Sequence, residues 1–392
     1  MSESVYIAAG ARTPMGGMQG ALSDLSAVDL GAAAISEAIS RAGLAGNDIQ
    51  EIIMGNVLPG GLRQGPARQA AINAGIPVEA GATTINKLCG SGMKATMLAH
   101  DLIRAGTNDI MVAGGMESMS NAPYMLPKAR GGMRMGHGEV QDSMFTDGLE
   151  DARTGRLMGS FAQEVADKYQ LTREDMDQFA ITSLTRAKRA IDEGSLKDET
   201  VAVTVKSRKG EVVVVDDEQP HNANIEKIPT LRPAFKSDGT VTAANSSSIS
   251  DGASALVLAS EAAVKAHGLQ PMARIVGHAT NSRAPEEFTI APIGAIEKLL
   301  AKTGWSKDDV DLFEINEAFA MVTMLATREL GLDPEKVNVH GGACAQGHPI
   351  GSTGSRIIVT LMYALKQMGK QRGIAALCIG GGEATAVAIE MV

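Results

Sequence analysis

Cys89 is a candidate nucleophile because of the residues on either side of it. It follows a short extended pattern at 83–85 and precedes a helical pattern with apolar residues at 93, 97, 98, 102 and 103. A helix N-terminus favours an anion, so we expect the pKa of this thiol to lie below its usual value of about 8.5. Gly90 and Gly92 clear space for a substrate and permit a sharp turn. The alternative is a small buried structural cysteine, which is the commoner situation.

A candidate base, His348, lies in the glycine-rich segment 341–351. A histidine in a loop is most often simply solvated. Here Gly347, Pro349 and Gly351 surround it, and these residues restrict the backbone and leave room for a ligand. We therefore interpret His348 as functional, at the entrance of a helix that begins near Gly351.

A second thiol, Cys378, lies at the end of an apolar strand pattern at 375–379. Ligands of open α/β sheets bind at the carboxyl ends of the strands, although a buried strand cysteine is the alternative. Glycines at 380–382 follow, and their amides, Gly380 first, could supply half of an oxyanion hole. The N–H of Cys89 could supply the other half.

Asn316 closes the strand pattern at 311–315 and therefore belongs to the same kind of sheet edge. Its alternative role is the N-cap of a helix predicted at 319–330. Two thiols and an imidazole suit acyl transfer that needs two proton abstractions. One base takes the proton of the attacking thiol, and another takes the α-proton of a second acyl group so that its carbon can attack.

The order of helices and strands occurs twice along the chain. Asp48 and Ile49 are matched by Asp309 and Val310 at an offset of 261 residues, and the glycine-rich helix start at 90–92 by that at 351–354 at an offset of 262. The strand at 111–113, ending in two glycines, is matched by that at 375–379 at an offset of 266. We expect an internal duplication whose two glycine-rich helix starts meet at one central crevice.

The pattern predicts two α/β layers with largely buried sheets. Strands are expected at 5–9, 48–54, 109–113, 311–315 and 375–379, and helices at 29–41, 66–74, 171–193, 293–302 and 319–330. A basic turn at 206–210 joins a β-hairpin of 201–205 and 212–215. We divide the chain into an N-terminal half of 1–118 plus 250–270, a lid-like α+β insertion of 119–249, and a C-terminal half of 271–392.

Composition excludes several classes of protein. The 392 residues are enough for two or three domains, and a net charge of −9 argues against binding to nucleic acid or to a membrane surface. The first residues carry no basic segment, so we expect no signal peptide. Three separated cysteines match neither a disulfide framework nor a zinc motif, so we expect no metal and a reducing, cytoplasmic location. Aromatic residues are 3% of the chain against 21 methionines, so we expect pockets lined by thioethers and small residues rather than rings.

Four motifs in this order, at 86–93, 316–320, 347–351 and 378–382, resemble those of the thiolase family over the whole chain, with the acetyl-CoA acetyltransferases most similar. The resemblance implies an α-β-α-β-α layered fold and reversible condensation of two acetyl-CoA to acetoacetyl-CoA and coenzyme A. It implies that Cys89 carries the acyl group, that His348 activates it and polarises the thioester, and that Cys378 is the base or acid at the α-carbon. A water held by Asn316 would form one oxyanion hole with His348, and the N–H groups of Cys89 and Gly380 would form the other.

The resemblance also implies that coenzyme A binds across the insertion as a substrate and product, with no tightly bound cofactor, in a homotetramer docked partly through the insertion. The residues near coenzyme A would be Leu149, Met158, Leu231, Phe235, Ser247, Ala318 and Phe319.

Some positions depart from the family pattern. Pro220 stands where many members have arginine and Leu157 where some have histidine, so Arg208, Lys209 or Arg232 is the candidate for contact with the coenzyme A phosphates. The segment 288–290 lacks the methionine of acetoacetyl-specific relatives, and Cys344 and Gln346 replace aliphatic residues beside His348. We interpret Cys344 as a spectator.

Other functions remain as alternatives. A broad-range degradative 3-ketoacyl-CoA thiolase would share the same residues. A decarboxylating ketoacyl-carrier-protein synthase should have a second histidine where this chain has Asn316 or Cys378. The segment 90–95 matches a dinucleotide fingerprint only loosely and lacks the acidic residue that should follow. A catalytically silent relative that binds coenzyme A or lipid is the non-enzymatic alternative.

Overall fold

A computed structural model describes residues 4–207 and 210–392 of the chain. Arg208 and Lys209, two candidates for phosphate contact, lie outside the described residues. The described strands are β1 Val5–Arg12, β2 Gly16–Gly17, β3 Glu51–Gly55, β4 Gly81–Ile85, β5 Ile110–Ser118, β6 Tyr124–Met125, β7 Gln141–Asp142, β8 Val203–Ser207, β9 Gly210–Val214, β10 Ser250–Ser260, β11 Ala273–Ser282, β12 Leu312–Ile315, β13 Arg372–Ile379 and β14 Glu383–Met391. The helices are α1 Ala27–Arg41, α2 Pro66–Asn73, α3 Ser91–Arg104, α4 Met158–Lys168, α5 Arg173–Asp192, α6 Glu218–Asn222, α7 Glu261–His267, α8 Ala291–Thr303, α9 Ala320–Leu330, α10 Ala343–Gln346 and α11 Ile350–Gln367.

The main sheet has the order β12-β13-β14-β11-β1-β10-β5-β3-β4. Within it β3 is parallel to β4 and β5, and β12 is parallel to β13. The two halves join where residues 5–7 of β1 pair with residues 273–275 of β11. The sequence predicts two α/β layers, and the structure adds that their sheets are joined through this short antiparallel pairing.

The strand order confirms the duplication. From the outer edge inward, β3, β5, β10 and β1 of the first half correspond to β12, β13, β14 and β11 of the second. The position of β4 is taken in the second half by a single parallel bridge between Phe313 and Val337. Each half thus repeats one α/β arrangement.

Apolar residues pack in layers that match an α-β-α-β-α architecture. One core lies between α1, α2 and the outer face of the first sheet, and another lies between α8, α9 and the outer face of the second. The core between the sheets contains α3 and α11 with side chains from strands of both halves. The two helices that follow the glycine-rich segments therefore form the central layer.

The central helices cross at two glycines. A Cβ on Gly92 of α3 would lie 2.8 Å from the backbone N of Ser355, and a Cβ on Gly354 of α11 would lie 2.4 Å from the backbone N of Met93. The two contacts are reciprocal, as expected for a pseudo-twofold axis. This close approach brings the starts of α3 and α11 together.

Several element boundaries differ from the predictions for local reasons. Helix α1 begins at Ala27 rather than Asp29 because Ser26 caps it and accepts a hydrogen bond from the Asp29 N–H. The prediction that Gly114 and Gly115 end a strand was wrong, because β5 runs on to Ser118. A Cβ on Gly115 would lie 2.0 Å from the carbonyl oxygen of Gly351, so this glycine accommodates the start of α11.

Strands β10, β11 and β14 were not predicted. Strand β10 is buried along its whole length, so it shows no alternation of apolar and polar residues. The predicted helix at 171–193 is α5, and the predicted hairpin is β8 with β9.

The insertion is tied to the halves by buried contacts. The Arg12 guanidinium at the end of β1 forms ion pairs with Glu199 and Asp217, and all three side chains are buried. Val203 and Val205 of the hairpin pack into the first core. Among the described residues, no helix has the length and apolar character needed to cross a membrane.

Candidate active site

Cys89 lies in a tight turn just before α3. The Leu88 N–H donates to Asn86 Oδ1 at 2.9 Å, and the Lys87 N–H donates to Ser91 Oγ at 2.8 Å. These two side chains hold Leu88 at a φ of +48°, a conformation that costs free energy in a residue with a side chain. The expectation that Cys89 starts the helix was close, since Gly90 is the N-cap and Ser91 the first helical residue.

The end of β13 packs against this turn. A Cβ on Gly90 would lie 2.3 Å from Cδ1 of Ile379, so the glycine lets this side chain pack closely against the turn. The backbone N–H groups of Gly380 and Cys89 both favour the charged form of the Cys89 thiol. The two amides predicted to form an oxyanion hole therefore both act on this sulfur.

The pKa of Cys89 differs from the prediction. Burial raises it to about 11, against the effect of the two N–H donors, and the nearby Glu117 carboxylate adds to the rise. The expectation of a depressed pKa was wrong because desolvation of the thiolate outweighs the amide dipoles. At neutral pH the thiol is protonated and needs a base to become a nucleophile.

The hydrogen bonds of His348 leave one of its ring nitrogens able to accept a proton. Thr353 Oγ1 donates to the Pro349 carbonyl at 3.0 Å, so it accepts at 2.6 Å from Nδ1–H of His348. The geometry thereby assigns the proton to Nδ1 and leaves a lone pair on Nε2. Nε2 is buried and has no hydrogen-bond partner in the part of the chain that the structure describes. Burial, with a smaller effect of the Arg356 charge, lowers the His348 pKa to about 3, so the imidazole is neutral.

Glu117 positions the segment after His348, although no sequence motif pointed to this residue. Its buried carboxylate accepts N–H donors from Asn56, Val57, Leu58 and Gly351 at 2.7–3.1 Å. Burial raises its pKa to about 7 although these donors favour the charged form. Its position at the end of a buried strand, where carboxylates are rare, was the available signal.

Asn316 lies between β12 and α9 with its side chain buried. Phe319, not Asn316, is the N-cap of α9, so the alternative role as a helix cap is wrong. Both Nδ2 and Oδ1 of Asn316 lack a partner within the described residues. A buried amide with no partner is costly, so a ligand or water is expected to bind there.

Cys378 is fully buried in an apolar cluster with Phe288, Ala318 and Phe319. Burial raises the pKa of its thiol well above the usual value, and the charge of Cys89 raises it further. The two thiols are thus close enough to interact electrostatically. At rest both thiols are protonated.

Cys89, His348 and Gly380 line one cavity of about 320 Å³. Six of the seven residues predicted near coenzyme A also line it, namely Leu149, Met158, Phe235, Ser247, Ala318 and Phe319. Leu231 lies outside it, where its carbonyl accepts a hydrogen bond from Arg173 Nη2. Leu157 lines the cavity as well.

The lining of this cavity contradicts one prediction. The chain has only seven phenylalanines, and four of them, Phe145, Phe235, Phe288 and Phe319, line the cavity. The Phe319 ring packs edge-on against Phe235 and Phe288, with centroids 6.3 and 6.4 Å apart. Composition over the whole chain could not show this concentration of rings at one site. Larger grooves near α5 and α9 and in the loop around Met133 contain none of the predicted catalytic residues.

Comparisons with known proteins agree over the full length of the chain. Residues 5–262 match the thiolase N-terminal domain family and residues 269–391 match the thiolase C-terminal domain family. An acetyl-CoA acetyltransferase of Schizosaccharomyces pombe is 47% identical, with 100% of both chains covered, and one of Pseudomonas aeruginosa is 46% identical, with 99% of both covered.

Two solved structures are similar as well. One is Acat5 thiolase from Ascaris suum in complex with coenzyme A, with a TM-score of 0.94, 43% identity and 100% of both chains covered. The other is the Bacillus anthracis acetyl-CoA acetyltransferase, with a TM-score of 0.97, 43% identity, and 100% of this chain and 99% of that chain covered. Both the sequence and the fold lead to the same conclusion: the chain belongs to the thiolase family.

Proposed function

We propose that this thiolase is an acetyl-CoA C-acetyltransferase that condenses two acetyl-CoA to acetoacetyl-CoA and coenzyme A, reversibly, through an acyl group on Cys89. One observation carries the proposal. Cys89, His348 with its free Nε2, and Gly380 line a single cavity, and Cys378 is buried in an apolar cluster that shares Phe288, Ala318 and Phe319 with that cavity. The names of the full-length relatives support the same activity.

In the first half-reaction, His348 Nε2 takes the proton of the Cys89 thiol and the sulfur attacks the thioester carbon. The N–H groups of Cys89 and Gly380 stabilise the oxyanion, and the leaving coenzyme A sulfur takes the proton of Cys378, which becomes a thiolate while His348 keeps the proton of Cys89. The neutral imidazole suits this role because it can accept a proton without first losing one.

In the second half-reaction, the Cys378 thiolate removes the α-proton of a second acetyl-CoA, and the resulting carbanion attacks the acyl group on Cys89. The released Cys89 sulfur takes back the proton that His348 holds, so both thiols are protonated again. Asn316, through a water on its unpartnered amide, and His348 stabilise the enolate oxygen. In the reverse direction, the protonated Cys378 returns the proton to the α-carbon.

Two cysteine variants test the division of roles. Cys89→Ser should abolish covalent labelling by radioactive acetyl-CoA, whereas Cys378→Ser should retain labelling and lose condensation. Cys344→Ser serves as the control and should keep both activities. Equal loss of labelling in the first two variants would show that the assigned roles are wrong.

The small cavity favours a short acyl group. Phe288 is buried against Phe319 in the region of Cys378, where a long acyl chain would need space. Thiolysis rates should therefore be highest with acetoacetyl-CoA and fall with longer 3-ketoacyl-CoA substrates. A flat profile would support the broad-range degradative alternative.

We propose that the six cavity-lining residues named above contact coenzyme A and that the insertion at 119–249 contributes to this contact. We also propose that the enzyme needs no tightly bound cofactor. Arg232 is exposed beside Leu231 and is the described candidate for the phosphates. Arg232→Ala should raise the KM for acetoacetyl-CoA with little change in kcat. An unchanged KM would remove this residue from the binding site.

We propose a cytoplasmic homotetramer docked partly through the insertion. Its three free cysteines suit a reducing compartment. Large apolar side chains are exposed along one segment of the insertion: Tyr124, Leu126, Met133, Met135 and Val140. Light scattering should find tetramers for the wild type and smaller species for Met135→Asp. Met368→Asp, on a different exposed apolar residue, should leave the assembly intact.

A further inference from the structure

Two imidazoles and a carboxylate meet away from the active site, where α3 packs beside β11. Asp101 Oδ1 lies 2.9 Å from Nδ1 of His100 and 2.9 Å from Nε2 of His278. All three candidate ligand atoms lie within 4.8 Å of one another. The two rings are edge-to-face, with centroids 5.1 Å apart.

We propose that His100, Asp101 and His278 bind a divalent transition-metal ion of the zinc class, which would link the two halves of the chain. Two imidazole nitrogens and a carboxylate oxygen form a donor set that Zn²⁺ accepts. Ligand atoms bound to one tetrahedral ion are separated by about 3.4 Å, given Zn–N and Zn–O distances near 2.0–2.1 Å. The present spacing needs only small side-chain movements to reach that geometry.

The accessibility of the cluster suits metal entry. His100 is 3% exposed and His278 is half-buried, whereas Asp101 is exposed. The buried His100 and the half-buried His278 are thus held in place by packing, and the exposed carboxylate leaves a coordination position open to water. An open fourth position is typical of sites with three protein ligands.

The protonation state of the rings also suits a ligand role. Burial lowers the pKa of His100 to about 4 and lowers that of His278, so both imidazoles are neutral at pH 7. Without metal, each ring donates an N–H to Asp101 Oδ1. On metal binding, each ring moves its proton to its other nitrogen, which frees the lone pair with no net loss of protons.

Nearby cations oppose binding. Lys94, Lys302 and Arg104 lie close enough to disfavour positive charge on the histidines, and Lys302 Nζ donates to the His278 carbonyl at 3.0 Å. The single carboxylate offsets only part of this charge. We therefore expect weaker binding than at a buried structural zinc site with four ligands.

The site is separate from the catalytic chemistry. Cys89 precedes α3, and His100 lies nine residues after Ser91, the first residue of this helix, which corresponds to about 14 Å of helix. Metal binding should therefore affect stability and not the chemical step. The sequence predicted no metal because His278 follows Asp101 by 177 residues, far from any spacing motif.

The test uses chelator-treated full-length enzyme titrated with Zn²⁺ by calorimetry and with Co²⁺ by visible absorption. We expect one ion per chain and a Zn²⁺-dependent rise in melting temperature. His278→Gln and Asp101→Asn, two variants outside the core, should weaken binding at least tenfold and abolish the rise. His137→Gln, which alters an exposed histidine of the insertion, should bind like the wild type.

The active-site thiol is a competing ligand, so the titration is repeated in Cys89→Ser. Unchanged stoichiometry there, with no sulfur-to-cobalt charge-transfer band, supports the site. The absence of saturable binding, or equal binding by the wild type and His278→Gln, would overturn the proposal.

Discussion

Replacing Gly92 with alanine should separate the two central helices and lower the activity. The added Cβ would lie 2.5 Å from Ser355 Oγ, 2.8 Å from the Ser355 backbone N and 3.0 Å from the Ser352 carbonyl oxygen. Rotation of a side chain can relieve only the first contact, because the other two involve backbone atoms. The helices must therefore move apart.

The size of the movement follows from these distances. Ordinary contacts of a Cβ begin near 3.4 Å, so the contact at 2.8 Å requires a shift of about 0.6 Å. Overpacking of this kind costs about 1–3 kcal/mol, and the better helix propensity of alanine returns about 1 kcal/mol. The net loss of stability should be about 1 kcal/mol. Activity should suffer more, since α11 follows His348, and misplacement of catalytic groups by about 1 Å can cost 100-fold in rate.

Two quantities are measured for the wild type and for each variant: kcat for thiolysis of acetoacetyl-CoA, and the free energy of unfolding in urea. We expect at least about a tenfold loss of kcat for Gly92→Ala, and a similar loss for Gly354→Ala, because both substitutions widen the same crossing. Gly277→Ala is the matched control, since the nearest atoms to its Cβ are side-chain atoms at 3.4 Å or more. Wild-type kcat in both crossing variants would refute the reasoning.

Three further predictions concern buried charge and protonation. Glu117→Gln places an amide NH₂ against two N–H donors. The free energy of unfolding, measured in urea, should therefore fall by about 2–4 kcal/mol. Arg12→Ala leaves the carboxylates of Glu199 and Asp217 buried without their partner, and should cost about 3–5 kcal/mol by the same measurement. Burial holds the His348 pKa at about 3, whereas the histidine of the unfolded chain has a pKa of about 6.5. Below pH ~6.5 the unfolded chain therefore binds a proton that the folded chain does not bind, and the free energy of unfolding decreases as the pH falls. The stability that the wild type has over His348→Gln should therefore shrink by roughly 1 kcal/mol from pH 6.5 to 5.5.

Each of these has an outcome that contradicts it. A Glu117→Gln variant as stable as the wild type would mean that the four donors find other partners. For Arg12, the informative comparison is with Arg12→Ala combined with Asp217→Asn, which should recover part of the loss, and no recovery would argue against an unpaired charge. For His348, parallel pH dependence in the wild type and the variant would show that the imidazole gains a proton in the folded state.

Local features of the sequence determined most of the helices, several strands and the candidate catalytic residues. Periodic apolar residues predicted α1, α5 and α8, and near-constant offsets between glycine-rich segments predicted the duplication. Cys89, His348 and Cys378 stood out because glycines surround them, and such signals depend only on neighbours within a few residues.

The tertiary structure decided what depends on burial and on contacts between distant segments. Desolvation reversed the expected shift in the Cys89 pKa, because a helix end and its packing environment act in opposite directions on a thiolate. The docking of α11 against β5 brought the Glu117 carboxylate to the Gly351 N–H, from which it accepts a hydrogen bond. The approach of β11 to α3 brought His278 to Asp101. Neither pair is close in the sequence, so no spacing pattern could reveal them; solvent exclusion and proximity exist only once the two halves have packed together.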